Sequence, residues 1–315
     1  MAFDPLRRAL LTGLAGAGLL ALAPRQSPAA TGLTVREIAD GVFVFQGVSE
    51  MATPKNQGAV ANLGFVVGRE AVAAIDSGGS LVEGLALLAA IRATTDRPVR
   101  FLVATHMHPD HIFGNAAFRD AGATIVGHRN LPRALAARGD HYLKSYRRQL
   151  GEELMKGIEI VLPSMLVEDR LEIDLGGRVL ELRAWEAAHT DNDVTIYDVS
   201  SKVLFAGDLV FLNHVPTLDG SLLGWMRQIP QLAAIPARAV VAGHGEAPAD
   251  WPAALDPQLR YFGVLAGDLR QAIAAGTPLA KAVKTAGRAE RDAWKLFDEY
   301  NERNATAAYA ELEWE

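Results

Sequence analysis

The segment Thr105-His106-Met107-His108-Pro109-Asp110-His111 places four metal-competent side chains within a single turn of sequence. An apolar run from Val99 to Ala104 leads into it, and a helical pattern from Phe113 to Ala121 follows it. Residues two apart on extended backbone project to the same side, and a proline biases the residue before it toward that extended state. His106 and His108 can therefore share one ion, while Asp110 and His111, where the chain turns into a helix, aim at a neighbouring position.

The rest of the chain repeats one arrangement, in which an apolar strand ends, small residues follow, and a metal-competent side chain comes next. It occurs as Ala187-Ala188-His189, Ala206-Gly207-Asp208 and Ala242-Gly243-His244-Gly245. Strand ends on one edge of a sheet converge on one crevice, and small neighbours allow close backbone approach. Five of the eight histidines fall in this set, and the seven residues divide into two sites. Imidazole and carboxylate donors suit zinc, with iron or manganese also compatible. The chain has no cysteine, which removes thiolate sites, disulfide frameworks and cysteine nucleophiles together. Each histidine offers a metal one ring nitrogen at a time, whereas a carboxylate can give one oxygen to each of two ions, so Asp208 is the natural bridge.

The motif His106-x-His108-x-Asp110-His111 with His189, Asp208 and His244 resembles the dinuclear metallo-β-lactamase superfamily, which includes glyoxalase II, lactonases and class B β-lactamases. The resemblance covers roughly residues 40 to 250. It implies a four-layer αββα sandwich, with His106, His108 and His189 on the first metal, Asp110, His111 and His244 on the second, and Asp208 between them. The implied activity is hydrolysis of a small ester, lactone, thioester or amide. A water held between two cations loses a proton near neutral pH, one cation polarises the carbonyl, and Asp110 and Asp208 serve catalysis. Three further phrases are similar to the quinoprotein relay system zinc metallohydrolases: His111-Ile112-Phe113-Gly114-Asn115-Ala116-Ala117-Phe118, Gly207-Asp208-Leu209-Val210-Phe211 and Gly220-Ser221-Leu222-Leu223-Gly224-Trp225. That likeness implies export and an association with a periplasmic quinoprotein system. The best-known β-lactamases carry cysteine or serine where this chain has Asp208, which argues against antibiotic hydrolysis.

The elements that must position these residues are legible as α/β. Val42 to Phe45, Gly64 to Val67 and Ala71 to Ile75 read as strands, and Leu81 to Thr95 reads as a helix. Val99 to Ala104 and Thr124 to Val126 continue the alternation, followed by a helical stretch from 129 to 157 with a basic, solvated face. Leu171 to Leu175 and Val179 to Ala184 form a hairpin across Gly176-Gly177, and Val194 to Asp198 and Val203 to Phe205 another across Ser200-Ser201. Ala239 to Ala242 is a last buried strand, and the chain is mostly helical from about residue 251.

Several other residues border this set. Asp76, in Ile75-Asp76-Ser77-Gly78-Gly79, is expected to serve turn or cap chemistry beneath the site. His128 and His141 read as ordinary strand-end and helix-surface histidines. His214, on the loop leaving the crevice, and Trp225 are candidate substrate contacts, Trp185 is a further aromatic of the same kind, and the loop from Gln46 to Gly58 is a candidate flap.

The first thirty residues follow an export pattern: Arg7-Arg8, an apolar run from Ala9 to Ala23, then a Pro/Ser/Ala stretch to Ala30. We expect a twin-arginine leader over residues 1 to 30, a mature hydrolase domain over 31 to 315, a periplasmic location and no stable membrane insertion after processing. A formal charge of −6 without a long basic run argues against nucleic acid as a partner and for a small-molecule substrate. Two other readings stay open at this point: a mononuclear iron oxygenase on the same fold, and a non-catalytic periplasmic zinc-binding accessory protein.

Overall fold

A computed structural model describes residues 33–315. The leader expected over residues 1 to 30 lies outside the described residues, among which no helix is long and apolar enough to cross a membrane.

The described residues form two sheets. The first runs in sequence order: β1 (Arg36–Ala39), β2 (Val42–Phe45), β3 (Leu63–Val67), β4 (Val72–Ile75), β5 (Val99–Val103), β6 (Thr124–His128) and β7 (Met165–Val167). It is antiparallel from β1 to β4 and parallel from β4 to β7. The second comprises β8 (Arg170–Asp174), β9 (Val179–Ala184), β10 (Val194–Asp198), β11 (Val203–Phe211), β12 (Ala239–His244) and β13 (Ala249–Asp250), in the spatial order β13-β12-β11-β10-β9-β8. Both hairpins expected from the glycine and serine turns form, in the β8/β9 and β10/β11 pairs. β7 and β13 are only three and two residues long, and β1 (Arg-Glu-Ile-Ala) has no apolar run of the kind that marks the equally short β2 and β4, so none of the three stands out in sequence.

Alternation of side chains assigns the faces. Val42, Val44, Val66, Ala73 and Ile75 point inward and meet Leu180, Leu182, Ile196, Val203 and Phe205 from the second sheet. On the outer face of the first sheet, Phe43 stacks on Phe65 at 4.7 Å between ring centres. Leu63, Phe65 and Leu102 cover α1 (Leu81–Thr94) and α3 (Asn115–Asp120) there. Fully burying one such aromatic side chain stabilises the fold by about 1.5–3 kcal/mol. The outer face of the second sheet is covered by α5 (Leu222–Ala233), α6 (Asp256–Ala274), α7 (Leu279–Thr285) and α8 (Phe297–Leu312). The result is the expected αββα sandwich.

Two helices differ from the sequence reading. The pattern assigned to Phe113–Ala121 is the shorter α3, and a separate turn of helix, α2 (Pro109–Ile112), precedes it because Pro109 takes the first helical position. The long basic helix is α4 (Leu131–Leu150), stopped by Gly151, whose φ of +79° ends the helical run.

Candidate metal centre

The seven donors meet at one shared end of the two sheets. Thr105 to His108 continue from β5, with His108 extended as expected (φ −69°, ψ 145°), and Asp110 and His111 lie in the first turn of α2. His189 follows β9 in a loop tied by Asp193, which accepts the backbone N–H and the hydroxyl of Thr190. Asp208 sits inside β11, where pairing with β12 is irregular on either side of Gly207 (φ +51°), and His244 ends β12. A Cβ at Gly243 would fall 1.9 Å from Asp208 Oδ1, so the small residue before His244 is a condition for the carboxylate to lie where it does.

The donors separate into two groups, His106, His108, His189 and Asp208 in one and Asp110, His111 and His244 in the other. In the first, His189 Nε2 lies 2.9 Å from His108 Nδ1 and 3.3 Å from His106 Nε2. Asp208 Oδ2 is 3.3 Å from His189 Nε2 and 3.7 Å from His106 Nε2. In the second, Asp110 Oδ2 is 3.3 Å from His244 Nε2 and 3.8 Å from His111 Nε2. Asp208 Oδ1 faces this group, at 3.2 Å from His111 Nε2 and 3.5 Å from His244 Nε2. Four ligands at zinc bond lengths around a tetrahedral ion are about 3.3 Å apart, so both groups have cation-sized centres.

The distal nitrogen of every imidazole is engaged. His111 donates to Asp76 Oδ2 at 2.7 Å, His189 to the Thr217 carbonyl at 2.7 Å and His244 to the Val60 carbonyl at 3.0 Å. His106 Nδ1 pairs with the Thr105 hydroxyl at 3.1 Å, and His108 Nε2 with Asp219 Oδ2 at 3.0 Å. Each ring is thereby fixed in orientation, with its lone pair turned inward. His111 Nε2 and Asp208 Oδ1 are buried and have no hydrogen-bond partner. Two lone-pair carriers buried together are costly unless a positive charge lies between them. A divalent cation supplies it, and the donor set fits one.

Electrostatics describe the same requirement. Burial alone would raise the Asp208 pKa, but His244, His111, His189 and His106 surround it and hold the carboxyl well below the usual carboxylate range. Burial alone would lower His111, yet the Asp208, Asp76 and Asp110 carboxylates outweigh it and push the ring well above its ordinary value. His189 falls to about 3, chiefly through burial. Burial also pulls His106 well below its usual value.

A cavity of about 390 Å³ opens onto Asp110, Asp208 and His244. Glu50, Met51 and Ala52 from the candidate flap line it, as do His214, Tyr142, Tyr146, Arg138, Tyr300 and Arg303. His214 packs against His244 with ring centres 5.1 Å apart and tilted by 33°, and donates Nδ1–H to the Val215 carbonyl. Burial holds this ring down at about 4, so it borders the cavity neutral. Trp225 does not line the cavity. It is 1% exposed, packs behind His189 at 5.6 Å and donates its indole N–H to the Leu209 carbonyl, so the substrate-contact expectation for it is corrected to support of a donor ring. Trp185 is likewise buried, with its N–H on Thr195. His141 is exposed on α4 but borders the cavity mouth.

Two contributions to this arrangement escaped the sequence reading. Asp76 does more than cap a turn, because it also accepts the backbone N–H and hydroxyl of Thr105. Asp219 had only its place after Leu218 and before Gly220-Ser221 as a signal. Its loop is pinned by α8: Asn304 accepts Leu218 N–H at 2.9 Å and donates to the Pro216 carbonyl at 2.6 Å. Glu311 caps α5 by accepting Leu222 N–H at 2.8 Å.

The family description "Metallo-beta-lactamase superfamily" matches residues 58–244 of the chain. No curated protein matches it. Among solved structures, TMB-1 is 20% identical with a TM-score of 0.57, over 72% of this chain and 96% of that one. A metallo-beta-lactamase from Pontibacter korlensis is 23% identical with a TM-score of 0.59, over 72% and 99%. A metallo beta lactamase from Erythrobacter litoralis is 19% identical with a TM-score of 0.56, over 73% and 95%. At these identities the likeness is one of fold.

Proposed function

The chain belongs to the metallo-β-lactamase superfamily, and from that premise we propose that it is a hydrolase working with two divalent cations, zinc foremost, on a small carbonyl substrate. The observation that carries this reading is Asp208, whose two oxygens face two separate nitrogen clusters at 3.2–3.7 Å. One carboxylate placed in this way could serve two cations and would offset the charge of both.

When bound, divalent cations would supply Lewis acidity toward a substrate carbonyl and would lower the pKa of a coordinated water toward neutral. His106, His108 and His189 would hold one, Asp110, His111 and His244 the other, and Asp208 both. Asp110 borders the cavity, where a carboxylate is placed to accept a proton from the attacking water. Phe211 and Met51 line the same cavity and displace bulk water from it, which strengthens every charge interaction within. The phrases similar to quinoprotein relay hydrolases, together with the expected leader, support a periplasmic setting for this reaction.

The test is a panel of lactones, thioesters, simple esters and β-lactams offered to protein of measured metal content. The reading expects hydrolysis of at least one simple ester, thioester or lactone, lost on chelation and restored by zinc, with β-lactams slower. Protein carrying two ions that hydrolyses none of the panel would overturn it.

A further inference from the structure

Arg138 of α4 and Arg303 of α8 reach the same carboxylate from opposite helices. Arg138 Nη1 bonds Asp219 Oδ2, and Arg303 Nη2 lies 3.3 Å from Asp219 Oδ1. His108 Nε2 takes Oδ2 as well, so both oxygens of Asp219 are in use. Its side chain is 12% exposed, whereas those of Arg138 and Arg303 are 45% and 58% exposed.

The charges do not cancel. Two guanidiniums face one carboxylate, and a ring that holds a cation through Nδ1 is neutral, which leaves one positive charge in surplus. Each guanidinium carries five N–H donors and spends one nitrogen on Asp219. Among the described residues, Asp219 is the only carboxylate paired with either. Both arginines line the cavity beside Tyr142, Ser145 and Gln149, where Glu50 is the one acid outside the donor set.

We propose that Arg138 and Arg303, held by Asp219, form a subsite that binds a carboxylate on the substrate, so that the substrate is a monoester, thioester or lactone bearing a free acid group. The proposal rests on the hydrolase reading and names its substrate class. A planar fork of donors matches a carboxylate in two-point contact, and a second guanidinium completes the pair. The spacing is short: only the His108 ring and the Asp219 carboxylate separate the guanidiniums from the donor nitrogen. A chain of a few carbons between the acid group and the scissile carbonyl fits that interval and a cavity of about 390 Å³. Arg303 also lies outside the residues 58–244 matched to the superfamily, so the subsite depends on the helical extension of this chain.

The experiment compares mono-para-nitrophenyl esters of glutaric and adipic acid with para-nitrophenyl butyrate, using zinc-loaded wild type, Arg303→Gln, Arg303→Lys and Arg138→Gln. The readout is the ratio of kcat/KM for acidic over neutral ester, and the binding of glutarate itself by calorimetry. Wild type should favour an acidic ester by about tenfold or more, through KM, with the preference falling as salt rises. The Gln variants should lose that ratio and weaken glutarate binding by a similar factor, while Arg303→Lys should keep part of both. A purely structural role would lower both esters equally and leave the ratio unchanged, which overturns the subsite. Arginine-dependent glutarate binding without hydrolysis of any ester would instead contradict the hydrolase reading and leave the subsite standing.

Discussion

Asp76 Oδ2 accepts the Nδ1–H of His111 at 2.7 Å and, through the same oxygen, the Thr105 hydroxyl at 2.8 Å. Its other oxygen takes the Thr105 backbone N–H at 2.7 Å. One buried carboxylate therefore sets the ring angle of a donor and the start of the segment that carries His106. Asp76 itself has a φ of +56°, a conformation asparagine tolerates well, so Asp76→Asn removes the charge without backbone strain. Metal titration of this variant should show affinity at the His111 position reduced by about 10- to 100-fold, with the other ion less affected. Unchanged affinity at both positions would show that Asp76 acts only on the turn.

Asn304 holds the loop that carries Thr217 and Asp219, the partners of His189 and His108. Asn304→Ala leaves the Leu218 N–H and Pro216 carbonyl unsatisfied in a buried place. We expect a loss of stability of about 1–3 kcal/mol by denaturant unfolding, with weaker retention of the ion at His106, His108 and His189 under chelator competition. A variant that loses stability but keeps that ion as tightly as wild type would separate the loop from the metal site.

The contrast between these residues and the seven donors explains what was legible in sequence. The donors are written locally, as a histidine-rich turn after β5 and small residues directly before His189, Asp208 and His244, although β11 runs on through Asp208 to Phe211 and does not end before it as the sequence suggested. The sheets were legible wherever alternation ran long enough, as in the β8/β9 hairpin. Asp219 and Asn304 act through bonds to residues far away in sequence, which no local pattern encodes. Trp225 misled because an aromatic near a donor looks the same in sequence whether it faces the cavity or packs behind a ring.

His128 offers a test of pH dependence away from the donors. Its Nε2–H donates to the Trp185 carbonyl and its Nδ1 accepts Asn130 N–H. Burial, with the charge of Arg129, lowers its pKa from 6.5 to about 4. Between those values the unfolded chain binds a proton that the folded ring refuses, so its contribution is complete above pH 6.5 and is lost as pH falls toward 4. Gln supplies one donor and one acceptor without titrating. In unfolding measurements the stability advantage of wild type over His128→Gln should be largest above pH 6.5 and shrink on acidification. A gap that widens as pH falls would mean that the ring is charged in the fold.

The central claim is that Asp208 joins two cation sites, and metal counting on Asp208→Ala tests it most directly. The variant keeps His106, His108 and His189, which form a competent zinc site by themselves. Asp110, His111 and His244 remain as well, but without the shared charge that offsets two neighbouring cations. The wild type should carry about two zinc ions per chain by elemental analysis and the variant about one, with turnover of the best panel substrate lower by a factor on the order of 10² or more. A variant that keeps both ions and near-wild-type turnover would contradict the bridging role and the division of donors built on it.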